Sequence, residues 1–121
     1  MIFVTRNQGK FKEAVKILGN IKLEQSTIEI PEIQSNSLTK IASESAKYAF
    51  KKLGQPCIVE DSGLFIHELN GFPGPYSRYV YDTIGISGIL RLMEGKRNRS
   101  AEFRSAVGYA DSRGVKTFLG R

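Results

Sequence analysis

Three short segments hold the residues whose types and spacing could do chemistry: Thr5-Arg6-Asn7-Gln8-Gly9-Lys10, Glu32, and Glu60-Asp61-Ser62-Gly63. The first places hydroxyl, amide and ammonium donors around a glycine, directly after the apolar run Ile2-Phe3-Val4. Phosphates are held by N–H donors and fixed positive charge, and both gather where a strand passes into a helix N-terminus. Thr5 and Asn7 offer side-chain donors, Gly9 a close backbone approach and Lys10 a point charge. The segment therefore reads either as a phosphate cradle or as a helix start with polar capping. Its spacing fits neither the Walker loop nor the dinucleotide fingerprint.

The other two segments carry carboxylates. Glu32 follows Ile30-Pro31, and Glu60-Asp61 follow Ile58-Val59, so both sets of acids stand where strands are expected to end. Magnesium prefers hard oxygen ligands and is commonly held by one or two carboxylates together with substrate phosphates. A shared ion between Glu32 and Asp61 is one reading; ordinary acidic loop residues is the other. Asp61 is favoured over Glu60 for catalysis, with Glu60 expected to adjust the local charge or to face the opposite way, as strand alternation requires. Ser62 could donate to a phosphate, and Gly63 is expected to permit a tight turn that aims Asp61. Ser62 lacks a nucleophile elbow and a triad histidine, so it is not read as a nucleophile.

These residues need elements to position them. Residues 1–5 read as a buried strand. From Lys10 to Leu18 the residues Phe11, Ala14, Val15 and Leu18 share a helical face, closed by Gly19-Asn20. Residues 22–29 alternate loosely as a second strand, ended by Pro31. A longer helix is expected from about Leu38 to Leu53, capped by Ser37 and stopped by Gly54 and Pro56. Two short strands follow, Cys57 to Val59 and Leu64 to Leu69, with Asp61-Ser62-Gly63 between them. Gly71 to Pro75 forms a rigid loop, and Ile86, Ile89, Leu90 and Met93 mark a short third helix. From Ala101 the period-two pattern of a strand runs to a hairpin at Asp111-Ser112-Arg113-Gly114, and Val115 to Leu119 returns. Strands interleaved with helices imply a single α/β domain with a mixed sheet.

Bulk properties narrow the function class. A chain of 121 residues fits one domain, and its 40% hydrophobic and 25% charged content is that of a globular protein. No apolar run approaches the roughly 20 residues that span a bilayer, and the start lacks a secretory signal, so a cytoplasmic protein without a membrane partner is expected. The net charge of +6 is spread evenly over both halves, which suits a pocket for an anionic small molecule better than a basic tail. Lys96-Arg97-Asn98-Arg99 reads as a solvated turn, and no nucleic-acid partner is expected. Cys57 is the single cysteine, read as a buried structural thiol. His67 is the single histidine, which makes zinc or Cys-His chemistry improbable.

Thr5 to Lys10 with Glu13, Pro31-Glu32-Ile33-Gln34, Glu60-Asp61-Ser62-Gly63-Leu64 and Asn70-Gly71-Phe72-Pro73-Gly74-Pro75-Tyr76-Ser77 occur in an order that resembles one family. It is the family of pyrophosphatases that hydrolyse inosine, xanthosine and related atypical purine nucleoside triphosphates. The resemblance covers the whole chain, 1–121. It implies an inosine triphosphatase-like fold, with a strongly twisted, elongated mixed sheet flanked by helices, and a homodimer. It also implies magnesium-dependent hydrolysis of ITP, dITP or XTP to the monophosphate and pyrophosphate, as nucleotide-pool sanitation. In that reading Thr5, Arg6, Asn7, Gln8, Gly9, Lys10, Ser62 and Arg78 bind substrate, Glu32 and Asp61 hold Mg2+, and Asp61 is catalytic. Two departures stand out. Ser45 occupies the place of a lysine found in many members. The family's Phe-Gly-Tyr-Asp and Ser-His-Arg segments, which select the base, do not occur, so the chain is expected to be C-terminally shortened relative to the family. The alternative expectation is a catalytically inert nucleotide-binding remnant that self-associates.

Overall fold

A computed structural model describes residues 1–121. Strand β1 (Ile2–Val4) is fully buried and leads through Thr5 and Arg6 into helix α1 (Gln8–Ile17). The helix begins two residues earlier than its apolar pattern predicts, because the Asn7 side chain accepts from the Lys10 amide and caps it. Strand β2 is only Glu24–Ser26, not the whole of 22–29, and lies parallel to β1. It is short because β1 offers it only Ile2, Phe3 and Val4 as partners.

Helix α2 (Leu38–Leu53) matches its expected bounds, with Ser37 capping it and Gly54 ending it in the left-handed conformation. Its buried stripe is Leu38, Ala42, Ala46 and Ala49. Ala46 and Ala49 pack with Ile2, Val4, Cys57, Val59 and Ala110, and Leu38 and Ala42 with Ala106. The small alanines let the helix lie close on the sheet. Gly108 completes that fit, since a Cβ there would stand 2.4 Å from the Ala42 carbonyl oxygen.

The main correction concerns β3. It is one ten-residue strand, Cys57–Ile66, rather than two short strands around a turn. Strand β5 (Ala101–Asp111) pairs with it in unbroken antiparallel register from Cys57–Ala110 to Ile66–Ala101, and this ladder keeps Asp61, Ser62 and Gly63 extended. Gly63 is required for clearance, not for turning: a Cβ would lie 2.1 Å from the Gly74 carbonyl oxygen. After Ile66 the chain makes a 3-10 turn, His67–Leu69, where a strand was expected. The expected rigid loop contains β4 (Pro73–Gly74), which pairs with Phe65 and Leu64.

Two helices follow instead of one, α3 (Ser77–Thr83) and α4 (Gly85–Leu92). The first has no signal in its sequence, Ser-Arg-Tyr-Val-Tyr-Asp-Thr, which is poor in strong helix formers. Strand β6 (Gly114–Gly120) closes the expected hairpin with β5. The result is a mixed six-stranded sheet in the order β2-β1-β3-β5-β6, with β4 also on β3, flanked by helices, as the α/β reading expects. No helix is long and apolar enough to cross a membrane.

Candidate active site

The topology leaves an opening at the middle of the sheet. Strand β5 occupies one whole edge of β3. The other edge is shared: β1 pairs with Cys57 and Ile58, and β4 pairs with Leu64 and Phe65. Between them, Val59 to Gly63 have no strand partner on that side. The loop from β1 into α1 flanks the opening at one end and the β4–α3 segment at the other. Ser77 pins the latter, its hydroxyl donating to the Gly74 carbonyl at 2.6 Å and accepting from the Leu64 amide at 2.8 Å.

A cavity of about 430 Å3 lies at this opening. Thr5, Arg6, Glu32, Ser45, Glu60 and Asp61 line it, with Ile28, Ile30, Ile33 and Ile41 among the apolar walls. The structure thus brings together Glu32 and Asp61, which are 29 positions apart in the chain, with the start of the phosphate-cradle segment. Glu32 lies in an irregular, exposed stretch after β2 rather than at a strand exit. Asp61 lies mid-strand, aimed by alternation onto the α2 face that Cys57 and Val59 share.

The cradle is ordered by its own hydrogen bonds. The Thr5 amide donates to the Ser26 carbonyl at 3.0 Å, and the Gln25 side chain donates to the Thr5 carbonyl at 2.9 Å. The Asn7 amide donates to the Thr5 hydroxyl oxygen at 3.1 Å. Asn7 Oδ1 accepts from the Lys10 amide at 3.0 Å. Capping therefore occupies the acceptors of Thr5 and Asn7 and leaves the Thr5 hydroxyl proton and the Asn7 side-chain NH2 to donate. The amides of Gln8 and Gly9, at the positive end of α1, have no acceptor within the protein. The capping reading of this segment is the one observed, and the donors it leaves free are those the cradle reading needs.

Glu60 and Ser62 face the opposite side of the sheet from Asp61. Glu60 accepts from Lys10 Nζ at 2.7 Å and from the Ser105 hydroxyl at 2.8 Å. Ser62 stands directly across the ladder from Ser105. Because the β3 edge is open here, groups on both faces border the same gap. Arg6 is exposed, with its Nε donating to the Thr27 carbonyl at 3.4 Å. Arg78 is not brought to the cavity: it sits on α3, 85% exposed, paired with Asp82. Ser105 had no sequence signal, because its place opposite Ser62 depends on strand register.

Burial pushes the Asp61 carboxyl up to about 6. The charges of Glu60 and Glu32 push the same way, while Lys10 and the Ser62 amide oppose them. A cation between Glu32 and Asp61 would relieve that strain. No three His, Cys, Asp or Glu side chains gather anywhere as a ready-made metal cage. Two hard carboxylates beside a phosphate cradle nonetheless fit magnesium, which leaves its remaining positions to water and phosphate oxygens.

A larger cavity, about 770 Å3, lies on the far side of Pro75, between Asn36, Phe65, His67, Tyr76 and Arg104. It holds none of the predicted residues, and its Arg104 is engaged already, stacked 4.2 Å from the centre of the Phe65 ring and paired with Glu102.

The Ham1 family model matches residues 1–121. A dITP/XTP pyrophosphatase of Methanopyrus kandleri is 56% identical over 123 residues, covering 99% of this chain and 65% of that protein. A dITP/XTP pyrophosphatase of Thermococcus kodakarensis is 43% identical, covering 100% of this chain and 66% of that protein. The chain spans slightly less than two thirds of the length of these curated relatives. Among solved structures, a nucleoside-triphosphatase / dITP/XTP pyrophosphatase from Mycobacterium abscessus matches with a TM-score of 0.79 at 26% identity, covering 99% of this chain and 71% of that one. A HAM1 protein from Coxiella burnetii shares the fold with a TM-score of 0.84 at 22% identity, covering 98% of this chain and 68% of that one.

Proposed function

The chain belongs to the Ham1 family, and we propose that it hydrolyses purine nucleoside triphosphates such as dITP, ITP and XTP to the monophosphate and pyrophosphate. The observation that carries this reading is the cavity at the open edge of β3, which joins Glu32 and Asp61 to Thr5 and Arg6, the residues that lead into α1. The names of the relatives support the substrate class.

In the reaction, water attacks the α-phosphorus and the bond to the α–β bridging oxygen breaks, releasing pyrophosphate. Thr5, Asn7, the Gln8 and Gly9 amides and Lys10 hold the phosphates, with Arg6 and Ser62 at the margin of the same gap. Gly9 lets the backbone come close. Asp61, ionised at neutral pH, orients the attacking water and takes its proton. Glu32 and Asp61 hold Mg2+, which when bound supplies charge stabilisation at the phosphoryl oxygens. Most of the acceleration comes from alignment and fixed charge. Arg78 has no part in this geometry as it stands on α3.

A homodimer in the cytoplasm belongs to the same reading. Phe103 and Phe118 are 71% and 60% exposed on one face of the β5–β6 hairpin, an apolar surface suited to self-association. That surface also favours the second reading, an inert nucleotide-binding form that self-associates. The deciding experiment is pyrophosphate release from ITP, dITP, XTP, ATP and GTP, with and without magnesium, by wild type and Asp61→Asn. Magnesium-dependent turnover lost in the variant supports the enzyme. Nucleotide binding without turnover in the wild type rejects it in favour of the inert form.

A further inference from the structure

Lys10 is the only ammonium of the cradle, and a lysine side chain is a flexible point charge unless something holds it. Here Glu60 holds it, with Nζ 2.7 Å from Oε1. The second oxygen of Glu60 accepts from the Ser105 hydroxyl at 2.8 Å, so the carboxylate is fixed at both ends. Glu60 is the more buried partner, its side chain 20% exposed against 41% for Lys10. A half-shielded pair of this kind is screened less than a surface pair. It also spans three elements, since Lys10 is on α1, Glu60 on β3 and Ser105 on β5.

We propose that Glu60 is the positioning residue of the phosphate cradle: locked by Ser105, it holds the Lys10 ammonium at the open edge of β3, where a polyphosphate chain is to be received. The inference rests on the cradle reading above and extends it to two residues outside the predicted set. Glu60 does not use up Lys10. An ammonium has three donors, one of which goes to Glu60, leaving two for phosphate oxygens. Glu60 itself touches no reacting atom; it acts through Lys10. Ser105 in turn acts through Glu60, which gives an otherwise unremarked serine in a strand a definite task.

The direction of the effect separates this role from simple electrostatics. Removing the Glu60 charge alone would strengthen the binding of an anion. Loss of the clamp weakens it. The test uses the full chain as wild type, Glu60→Gln, Ser105→Ala, Ser105→Thr and Lys10→Met with and without Glu60→Gln, each checked for a native circular dichroism spectrum. Two readouts are taken: the rate at which an amine-reactive ester modifies Lys10 in the free protein, by mass spectrometry, and calorimetric affinity for inorganic tripolyphosphate.

Glu60→Gln is expected to speed Lys10 modification severalfold and to weaken tripolyphosphate by about tenfold, the scale of a coupled charged hydrogen bond. Ser105→Ala, which leaves every charge in place, gives a smaller change in the same direction, and Ser105→Thr restores the wild-type values. In the Lys10→Met background, Glu60→Gln changes affinity by less than about twofold, because the residue through which it acts is gone. Unchanged Lys10 reactivity, or tighter tripolyphosphate binding in Glu60→Gln, overturns the clamp while leaving the cradle intact. Wild-type protein that takes up no tripolyphosphate overturns the cradle reading itself, and the clamp with it.

Discussion

Replacing Asp61 with asparagine should make the free protein more stable while removing its activity. The carboxyl titrates at about 6 against an ordinary 3.8, raised first by burial and then by the Glu60 charge. Holding the ionised form in a site that raises the carboxyl from 3.8 to about 6 costs about 3 kcal/mol before screening. The group is partly solvated, so screening reduces this to about 1–2 kcal/mol. The sign follows from linkage. An acid whose folded value is raised binds protons more tightly when folded, so the folded state loses stability as pH rises from the unfolded value near 3.8 through the folded value near 6. The cost is absent below pH 3.8 and complete above 6. Asparagine never ionises and escapes it. In chelator, at pH 8, the variant should melt about 4–8 °C above wild type, and the gap should close toward pH 4. Magnesium should raise the wild-type melting temperature at pH 8 and leave the variant nearly unmoved. Turnover should fall by about 100-fold or more. A variant that melts at or below wild type at pH 8, or gains equally at both pH values, refutes the argument that ionised Asp61 is strained in the free protein.

Other substitutions separate stability from function. Gly63→Ala must push the Gly74 carbonyl away from a Cβ 2.1 Å distant, so urea denaturation should show a loss of about 1–3 kcal/mol, with turnover reduced as β4 shifts. Asn7→Ala and Ser37→Ala each remove one helix cap and should each cost about 1 kcal/mol. Only the first should raise the KM for a triphosphate; equal kinetic effects would mean that the cradle loop has no special place. Arg78→Ala breaks an exposed pair with Asp82 and should change stability by less than about 0.5 kcal/mol. Its kcat/KM should match wild type, and a tenfold loss would show that α3 swings Arg78 to the phosphates on binding.

The sequence was most legible where one interaction range decides the outcome. Helix α2 could be bounded from Ser37 and Gly54 because caps act locally. The β5–β6 hairpin followed from alternation and the turn at Asp111 to Gly114. Strand β3 was misread because Asp61-Ser62-Gly63 has turn-forming composition, and only the ladder with Ala106, Ser105 and Arg104 overrides it. The reason for Gly63 was misassigned for the same cause: it makes room for Gly74, a residue 11 positions away. Helix α3 was missed because its packing against β3 and β4, not its propensity, holds it. In the site, Thr5, Glu32 and Asp61 were legible as donors and acids. The meeting of Glu32 and Asp61 was one of two readings the residues left open, since it depends on which edge of β3 each neighbour takes.

That edge is what would let groups on opposite faces of one strand serve one substrate under the proposed function. In a fully paired sheet, Asp61 and Ser62 would be separated by the sheet itself, and no small molecule could touch both. Here β1 stops pairing at Ile58 and β4 resumes at Leu64, so the strand between them is bordered by open space. The α2 face brings Asp61 and Glu32 to the gap, and the other face brings Glu60, which holds Lys10; under the proposed function a phosphate chain lying there would meet both. The continuous partner β5 on the far edge is what makes this possible. Without its ten-residue register, Glu60 to Gly63 would have no ladder to hold them extended, and the alternation that sends Glu60 and Asp61 to different faces would be lost. The site is therefore a property of strand pairing as much as of its side chains.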